Sequence, residues 1–234
     1  MAEGTGVLLL ANLDRRMLKT PRALLPFGDI SILEKTLQAY EPLRPQEILV
    51  VSAASQEKLR AGLGAVADRI TLVTSPDVRA RVGQGIKLAL ERFSAQPDTL
   101  VIGLADQPLL TPELVEGLAA RFRESAGTIG VPVVQNVPGH PMFVAAEHLP
   151  ALQELEPAKT HRDLLLRFPE SIAELIVDET AILRTAETPE DYREILRLAG
   201  LPEPPPPPAP ARQKPEAPPA EETAETGAPD TDET

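Results

Sequence analysis

The stretch VLLLANLDRRMLKTPRALLPFGD, residues 7–29, begins as an apolar run and continues as a basic loop. The opening VLLLA is typical of a strand that is covered on both faces. Basic residues follow within the loop, at Arg15, Arg16, Lys19 and Arg22. Ligands of α/β sheets bind beyond the carboxyl ends of the strands, so a cationic loop in this place predicts an anion site. Charge alone leaves one alternative open, a solvated loop whose arginines pair with nearby acids.

Short apolar runs and helical patterns alternate along residues 1–200. Runs that resemble the first strand occupy residues 47–52, 70–74, 99–104, 128–134 and 140–145. Apolar residues at helical spacing lie in residues 31–40, 55–67 and 85–93, and a closing helix is predicted over 188–200. Thr111 followed by Pro112 predicts a further helix start. Repeated strand, helix, strand units predict an α/β fold, a Rossmann-like three-layer α/β/α arrangement with a mostly parallel sheet.

Composition limits the classes of function. The 234 residues carry a formal net charge of −12, which argues against nucleic acid and anionic membranes as partners. No apolar run reaches bilayer-spanning length and the N-terminus lacks a signal-peptide pattern, so we expect a cytoplasmic protein. The chain has no cysteine, and His140, His148 and His161 follow no metal-binding spacing. Any metal is therefore expected on oxygen ligands.

The last segment differs in composition from the rest of the chain. Residues 201–234 contain eleven prolines, eight carboxylates and two basic residues. Such a segment buries too little apolar surface to offset its ordering entropy, so we predict a disordered, Pro-rich acidic tail after a folded domain of residues 1–200. Its five-proline run favours a polyproline II rod that could contact a protein partner, with a solubilising spacer as the alternative.

A second candidate site lies in VIGLADQPLLTP, residues 101–112. Asp106 follows a predicted buried strand, so its carboxylate is expected at the same edge of the sheet as the basic loop. A carboxylate there can bind Mg²⁺ while phosphates and water complete the octahedron. The alternative is an Asx-type turn ahead of Pro108.

Together these stretches resemble the MobA-like NTP transferase family, above all its molybdenum cofactor cytidylyltransferases. The segment LLANLDRRMLKTPRALLPFG is similar to the family's opening strand and loop, and LADQPLLTPELVEGL to its metal-binding motif. SPDVRARVGQGIKLAL resembles the stretch that lines its base pocket, PGHPMFV its Gly-x-Pro-x-x-F segment, and TAETPEDYREIL its closing helix start. The resemblance covers nearly all of residues 6–200 and implies a nucleotidyltransferase fold.

The resemblance also implies an activity, the Mg²⁺-dependent transfer of a nucleoside monophosphate from CTP or GTP to a phosphorylated acceptor such as molybdopterin. It assigns the catalytic residues Arg16, Arg22 and Asp106, with Asp106 as the metal ligand. The implied nucleotide-binding residues lie in the opening segment and the base-pocket stretch: Leu10, Ala11, Asn12, Arg16, Lys19, Arg22, Gly83 and Gly85. The acceptor phosphate attacks in line, so positioning and charge neutralisation do the chemistry and no covalent nucleophile is required.

Departures from the family pattern leave a second hypothesis open. Asn12 and Leu18 stand where the family has glycines, and Arg22 falls at the position of its lysine. Ala158 aligns with the carboxylate that is the family's second metal ligand, and Gly83 and Gly85 with serines of the base pocket. The alternative is therefore a catalytically inactive binding or regulatory module with the same fold. His140 and His161, on the acceptor side, are expected to be exposed loop residues more often than ligand contacts.

Overall fold

The computed structural model describes residues 4–11, 20–75 and 81–203. The predicted loop residues Asn12, Arg16 and Lys19, and the predicted tail beyond its first three residues, lie outside the described residues.

The strands and helices alternate along most of the chain. The strands are β1 (Thr5–Ala11), β2 (Pro26–Phe27), β3 (Ile30–Ser31), β4 (Glu47–Ser52), β5 (Thr71–Thr74), β6 (Thr99–Leu104), β7 (Ile129–Val134), β8 (Val137–Pro138), β9 (Met142–Ala145) and β10 (Ile172–Ile176). The α-helices are α1 (Ile32–Tyr40), α2 (Gln56–Leu63), α3 (Val82–Leu90), α4 (Pro112–Glu124), α5 (Leu149–Gln153), α6 (Asp163–Arg167) and α7 (Pro189–Leu198).

Within the described residues, eight strands form one mixed sheet in the order β10-β7-β9-β6-β1-β4-β5, with β8 paired to β7. The pairs β1–β4, β1–β6, β4–β5 and β7–β10 are parallel, whereas β9 runs antiparallel to both neighbours. The amino end of β9 therefore lies at the same edge as the carboxyl ends of the parallel strands. Asp106, which follows β6, is a predicted site residue at this edge.

Side chains of β1 alternate between two apolar layers. Val7 and Leu9 pack in one layer with residues of α1, α2 and α4, whereas Leu8 and Leu10 pack in the other with residues of α3 and α5. Helices therefore cover both faces of the sheet, which confirms the predicted three-layer α/β/α fold. Among the described residues, no helix is both long and apolar enough to cross a bilayer.

Hydrogen bonds between side chains and backbone fix several helix starts. The Thr111 side chain accepts from Leu114 N at 3.2 Å, with Pro112 at the first helical position of α4, which confirms the predicted start. Ser31 and Thr188 each form a reciprocal capping box, at α1 and α7. The structure differs at α3, predicted over residues 85–93, which begins at Val82. Its start is held in place because Gly83 N donates to Pro157 O at 3.1 Å.

Gly103 in β6 and Tyr40 at the end of α1 provide a test of the packing. A methyl group on Gly103 would overlap the Tyr40 hydroxyl and lie 3.0 Å from Leu9 Cδ2. Gly103→Ala should therefore lower the free energy of unfolding by about 2 kcal/mol, a typical cost of overpacking. The buried Tyr40 hydroxyl has no hydrogen-bond partner among the described residues, so Tyr40→Phe alone should cost little.

Because Tyr40→Phe removes part of the overlap, the double variant should lose less stability than the sum of the two single variants. Urea denaturation of the four proteins measures the coupling. Additive costs would contradict this packing.

Candidate active site

Asp106 is fixed at the carboxyl edge of the sheet by its backbone. Ala105 N donates to Leu10 O at 3.1 Å, which extends the pairing of β6 with β1 beyond Leu104. Asp106 O then accepts from Ala186 N at 3.2 Å. The carboxylate is therefore held beside the carboxyl end of β1, where the predicted nucleotide-binding residues Leu10 and Ala11 lie buried in the strand.

The structure brings Arg22 and Asp106 into direct contact. Arg22 lies in a 3₁₀ turn, Arg22–Leu24, and its Nη2 is 3.5 Å from Asp106 Oδ2. Its Nη1 donates to Ala186 O at 3.2 Å. Both residues are almost fully buried, with 2% and 4% of their surfaces exposed. Two of the predicted catalytic residues thus form one buried ion pair, and neither is a solvated surface charge.

Burial dominates the protonation of Asp106. Desolvation raises the pKa of this carboxyl from 3.8 to about 6, against the opposing effect of the Arg22 guanidinium, and nearby Glu187 raises it further. At neutral pH the side chain is mostly ionised and paired with Arg22. A mild fall in pH protonates it.

A short segment, residues 182–186, connects the site residues through its backbone, and its last two residues begin the predicted closing-helix motif TAETPEDYREIL. Ala186 contacts both Arg22 and the Asp106 carbonyl. Ile182 O accepts from Gln107 Nε2 at 2.9 Å and from His140 N at 3.0 Å. Backbone carbonyl groups leave no signal in the side-chain sequence, so only the structure shows that residues 182–186 connect Arg22 and Asp106 with His140.

The expectation that His140 and His161 are exposed loop residues is wrong. Only 6% and 4% of their surfaces are exposed, and their Nε2 atoms lie 2.9 Å apart. Arg162 Nη2 lies 3.5 Å from His140 Nδ1. Burial and the nearby Arg162 charge hold the pKa of both imidazoles below the usual range, that of His161 at about 4. The two rings are therefore neutral at physiological pH.

Gly83 and Gly85, predicted at the base pocket, lie buried in the first half of α3. Gly83 packs on the turn that contains Ala158, because its N–H is bonded to Pro157 O. A methyl group there would overlap Glu156 O and lie 3.0 Å from Lys159 O. In this structure Gly83 allows α3 to approach the backbone of residues 156–159, and a serine at the same position would not fit.

Among the described side chains, Asp106 is the buried carboxylate at this edge, and Glu187 lies close enough for its charge to act on it. No group of three or more acidic or histidine side chains suited to a metal occurs in residues 4–11, 20–75 and 81–203, and Ala158 provides no ligand. Mg²⁺ sites that are completed by substrate phosphates and water use one or two carboxylates. The buried, ionisable Asp106 fits that kind of site, provided that Arg22 shifts away from it.

Gly83 and Gly117 offer a matched pair of helix substitutions. Gly83→Ala should lower the free energy of unfolding by about 1–3 kcal/mol, because the added methyl group meets backbone that cannot rotate away. Gly117 in α4 has open space around the same position, so Gly117→Ala should raise stability by about 0.5–1 kcal/mol. Chemical denaturation measures both, and equal effects of the two substitutions would contradict the packing described for α3.

The buried Asp106 predicts a pH dependence of stability. The folded protein keeps the Asp106 proton up to pH about 6, whereas the unfolded chain releases it near 3.8. Folding therefore takes up a proton between these values, and the contribution of Asp106 to stability falls as pH rises through them, by about 3 kcal/mol in total.

The measurement is the free energy of unfolding of the unsubstituted protein and of Asp106→Asn, both without metal, as a function of pH. The difference between the two proteins isolates the effect of Asp106, because the contributions of the other titrating groups cancel. Between pH 4 and pH 7 the unsubstituted protein should lose about 2 kcal/mol relative to the variant, the larger part of the total. A difference that does not change with pH would show that the carboxyl is not desolvated.

Comparison with known proteins identifies the family. The MobA-like NTP transferase domain matches residues 6–172. The molybdenum cofactor guanylyltransferase of Mesorhizobium japonicum is 31% identical over 128 residues, which cover 54% of this chain. The chain spans 59% of the length of that relative.

Solved structures share the fold. Rv0371c of Mycobacterium tuberculosis H37Rv has a TM-score of 0.72 at 23% identity, covering 84% of this chain and 100% of that one. It has also been solved in complex with manganese, with a TM-score of 0.66 at 24% identity over 83% of this chain and 98% of that one. Molybdopterin-guanine dinucleotide biosynthesis protein A from Archaeoglobus fulgidus has a TM-score of 0.60 at 18% identity, over 83% and 98%. The domain match covers well over half of the chain, which therefore belongs to the MobA-like NTP transferase family.

Proposed function

We propose that this chain transfers a nucleoside monophosphate from a nucleoside triphosphate to a phosphorylated acceptor and releases pyrophosphate. The observation that carries the proposal is the buried contact between Arg22 and Asp106 at the carboxyl edge of the sheet, 3.5 Å between nitrogen and oxygen. This edge is where α/β sheets bind ligands, and the two side chains carry the charges that a metal ion and a phosphate need.

Charge balance favours the joint binding of the cation and the triphosphate. A divalent cation alone at Asp106 would add positive charge beside the buried Arg22, and a triphosphate alone would add negative charge beside Asp106. When both enter, Asp106 can hold the cation and Arg22 can turn to phosphate oxygens. The buried ion pair is thus replaced by two new pairs, and neither side chain is left alone in a low-dielectric site.

The proposed roles follow from this exchange. Asp106 would hold Mg²⁺ as its single carboxylate ligand, and the bound cation would neutralise charge on the phosphates. Arg22, with Arg16 and Lys19 from the basic loop, would bind the triphosphate. The manganese complex of Rv0371c supports a divalent cation in a protein of the same fold. An in-line attack by the acceptor phosphate then needs no covalent nucleophile.

The relatives limit the choice of donor nucleotide and of acceptor. The motifs resemble cytidylyltransferases, and the curated relative is a guanylyltransferase. We therefore propose GTP or CTP as the donor, and a molybdopterin-like phosphate monoester as the acceptor. We place the reaction in the cytoplasm, with the Pro-rich tail available to a protein partner.

One observation favours the alternative, a catalytically inactive binding or regulatory module. Arg22 already pairs with Asp106, and Ala158 provides no second carboxylate. If the ion pair does not open, no cation binds and the fold serves only as a scaffold. The two functions differ in one measurable property, which is cation-dependent nucleotide binding.

Calorimetry with GTP, CTP, ATP and UTP, each with and without Mg²⁺, tests the proposal. GTP or CTP should bind only with the cation, and Asp106→Asn should weaken binding by about tenfold or more, the loss expected for a charge-assisted contact. Asp98→Asn is the matched control, because Asp98 precedes β6 at the opposite edge and accepts from Gly4 N. Absence of binding for all four nucleotides, or equal effects of the two variants, would reject the enzyme and favour the inactive module.

A further inference from the structure

The contacts of the buried pair His140 and His161 favour one hydrogen-bond direction. The guanidinium of Arg162 can only donate, so His140 Nδ1, 3.5 Å from Arg162 Nη2, is an acceptor and carries no proton. A neutral His140 then carries its proton on Nε2 and donates it to His161 Nε2 across 2.9 Å. His161 in turn carries its proton on Nδ1.

The series of hydrogen bonds from Arg162 through His140 ends at His161 Nδ1, whose N–H has no acceptor among the described residues. This nitrogen is buried. A buried N–H group without an acceptor is unfavourable, so an oxygen atom placed against it would be bound favourably. The contacts among Arg162, His140 and His161 place the proton of His161 on Nδ1. This N–H donor is therefore oriented before a ligand binds.

His161 lies in a segment that reaches across the functional edge of the sheet. Residues 156–159 of this segment contact the start of α3 through Gly83, and α3 packs against β4 and β5. At its other end, His161 contacts His140, two residues before β9. In the sheet order β6 and β1 lie between these two anchors, and Asp106 follows β6. The orphan donor therefore belongs to the same edge as the proposed nucleotide site.

The local charge favours an anion. The charged neighbours that act on the two imidazoles are Arg162, which acts on both, and Asp163, which acts on His161. The Asp163 carboxylate is turned outward, where it accepts from Thr160 N at 2.8 Å and pairs with Lys159 at 3.4 Å. Arg162 is exposed and forms no ion pair with a described residue. The family's carboxylate is replaced by Ala158 at the start of the same segment, which removes a negative charge.

We propose that His161, oriented by His140 and Arg162, donates its Nδ1–H to an anionic oxygen of the phosphorylated acceptor, in place of a second metal ligand. The identification of the ligand as the phosphorylated acceptor rests on the proposed function. The anion site itself does not depend on that function. His161 is then the residue that contacts the acceptor, and Arg162 and His140 are positioning residues. The segment of residues 156–163 must shift to admit the oxygen, because Nδ1 is covered in the ligand-free protein.

A metal ion between the two histidines is the competing explanation, and the geometry opposes it. A metal at the paired Nε2 atoms needs both of them unprotonated, whereas the contact with Arg162 places a proton on Nε2 of His140. The positive charge of Arg162 also disfavours a cation in the same place.

Long-range ¹H–¹⁵N NMR of the full chain reads the tautomers directly, because the protein has only three histidines. His140 should carry its proton on Nε2 and His161 on Nδ1. Arg162→Met should change the tautomer balance of both rings, whereas Arg162→Lys should preserve it because a donor remains. A proton on His161 Nε2 in the unsubstituted protein would overturn the proposal.

Titration with inorganic phosphate, against sodium chloride of equal ionic strength, tests the anion site. The His161 Nδ1–H resonance should move downfield as phosphate binds. His161→Asn, which places an amide N–H near the Nδ1 position, should retain phosphate affinity. His161→Gln, which reaches toward His140 and lacks that donor, should lose roughly tenfold or more.

The outcomes separate this inference from the proposed function. A phosphate response at His161 in a protein that binds no nucleotide would support the anion site and reject the transferase. Nucleotide binding without any phosphate response at His161 would overturn the anion site and leave the transferase standing. Equal phosphate affinity in the Asn and Gln variants would also overturn it, because only one of them keeps the donor in place.

Discussion

The ion pair between Arg22 and Asp106 is the interaction on which the rest of the site depends. Both charges are withdrawn from water at the carboxyl edge of the sheet, and the cost of that burial is visible in Asp106, whose pKa rises to about 6 although a guanidinium lies beside it. Removing Arg22 would take away the cation that opposes the desolvation of the buried Asp106 carboxylate. The ion pair can therefore open only when both charges gain new partners at the same time. A divalent cation and a triphosphate, bound together, can supply those partners. This constraint connects the electrostatics of the fold with the proposed reaction, which needs both.

Backbone carbonyls organise the site around that pair. Ala186 contacts Arg22 and the Asp106 backbone, and Ile182 O joins Gln107 to the start of the segment that contains His140. Through His140 the connection continues to His161 and Arg162. One segment, residues 182–186, therefore contacts both the proposed nucleotide side and the proposed acceptor side. Ala158 leaves the acceptor side without the family's carboxylate, and neutral N–H donors replace it in our account.

The fold was largely predictable from the sequence because its signals are local. Apolar runs gave β1, β4 and β6, and Thr111 with Pro112 gave the start of α4. Strand β10, IAELI, alternates weakly and was missed, and the antiparallel insertion of β9 between β6 and β7 depends on pairing that no local pattern encodes. Within the site, the sequence pointed to Arg22 and Asp106 but not to their direct contact. The burial of His140 and His161 was predicted wrongly, since two separated loop histidines meet only through the tertiary fold.

Crystals of the protein grown with Mn²⁺ and a non-hydrolysable GTP or CTP analogue test the central claim most directly, through the anomalous signal of manganese. We predict a manganese peak within coordination distance of an Asp106 carboxylate oxygen, with Arg22 turned from Asp106 onto phosphate oxygens. An intact contact between Arg22 and Asp106 in crystals that hold the analogue, with manganese absent from that carboxylate, would contradict it.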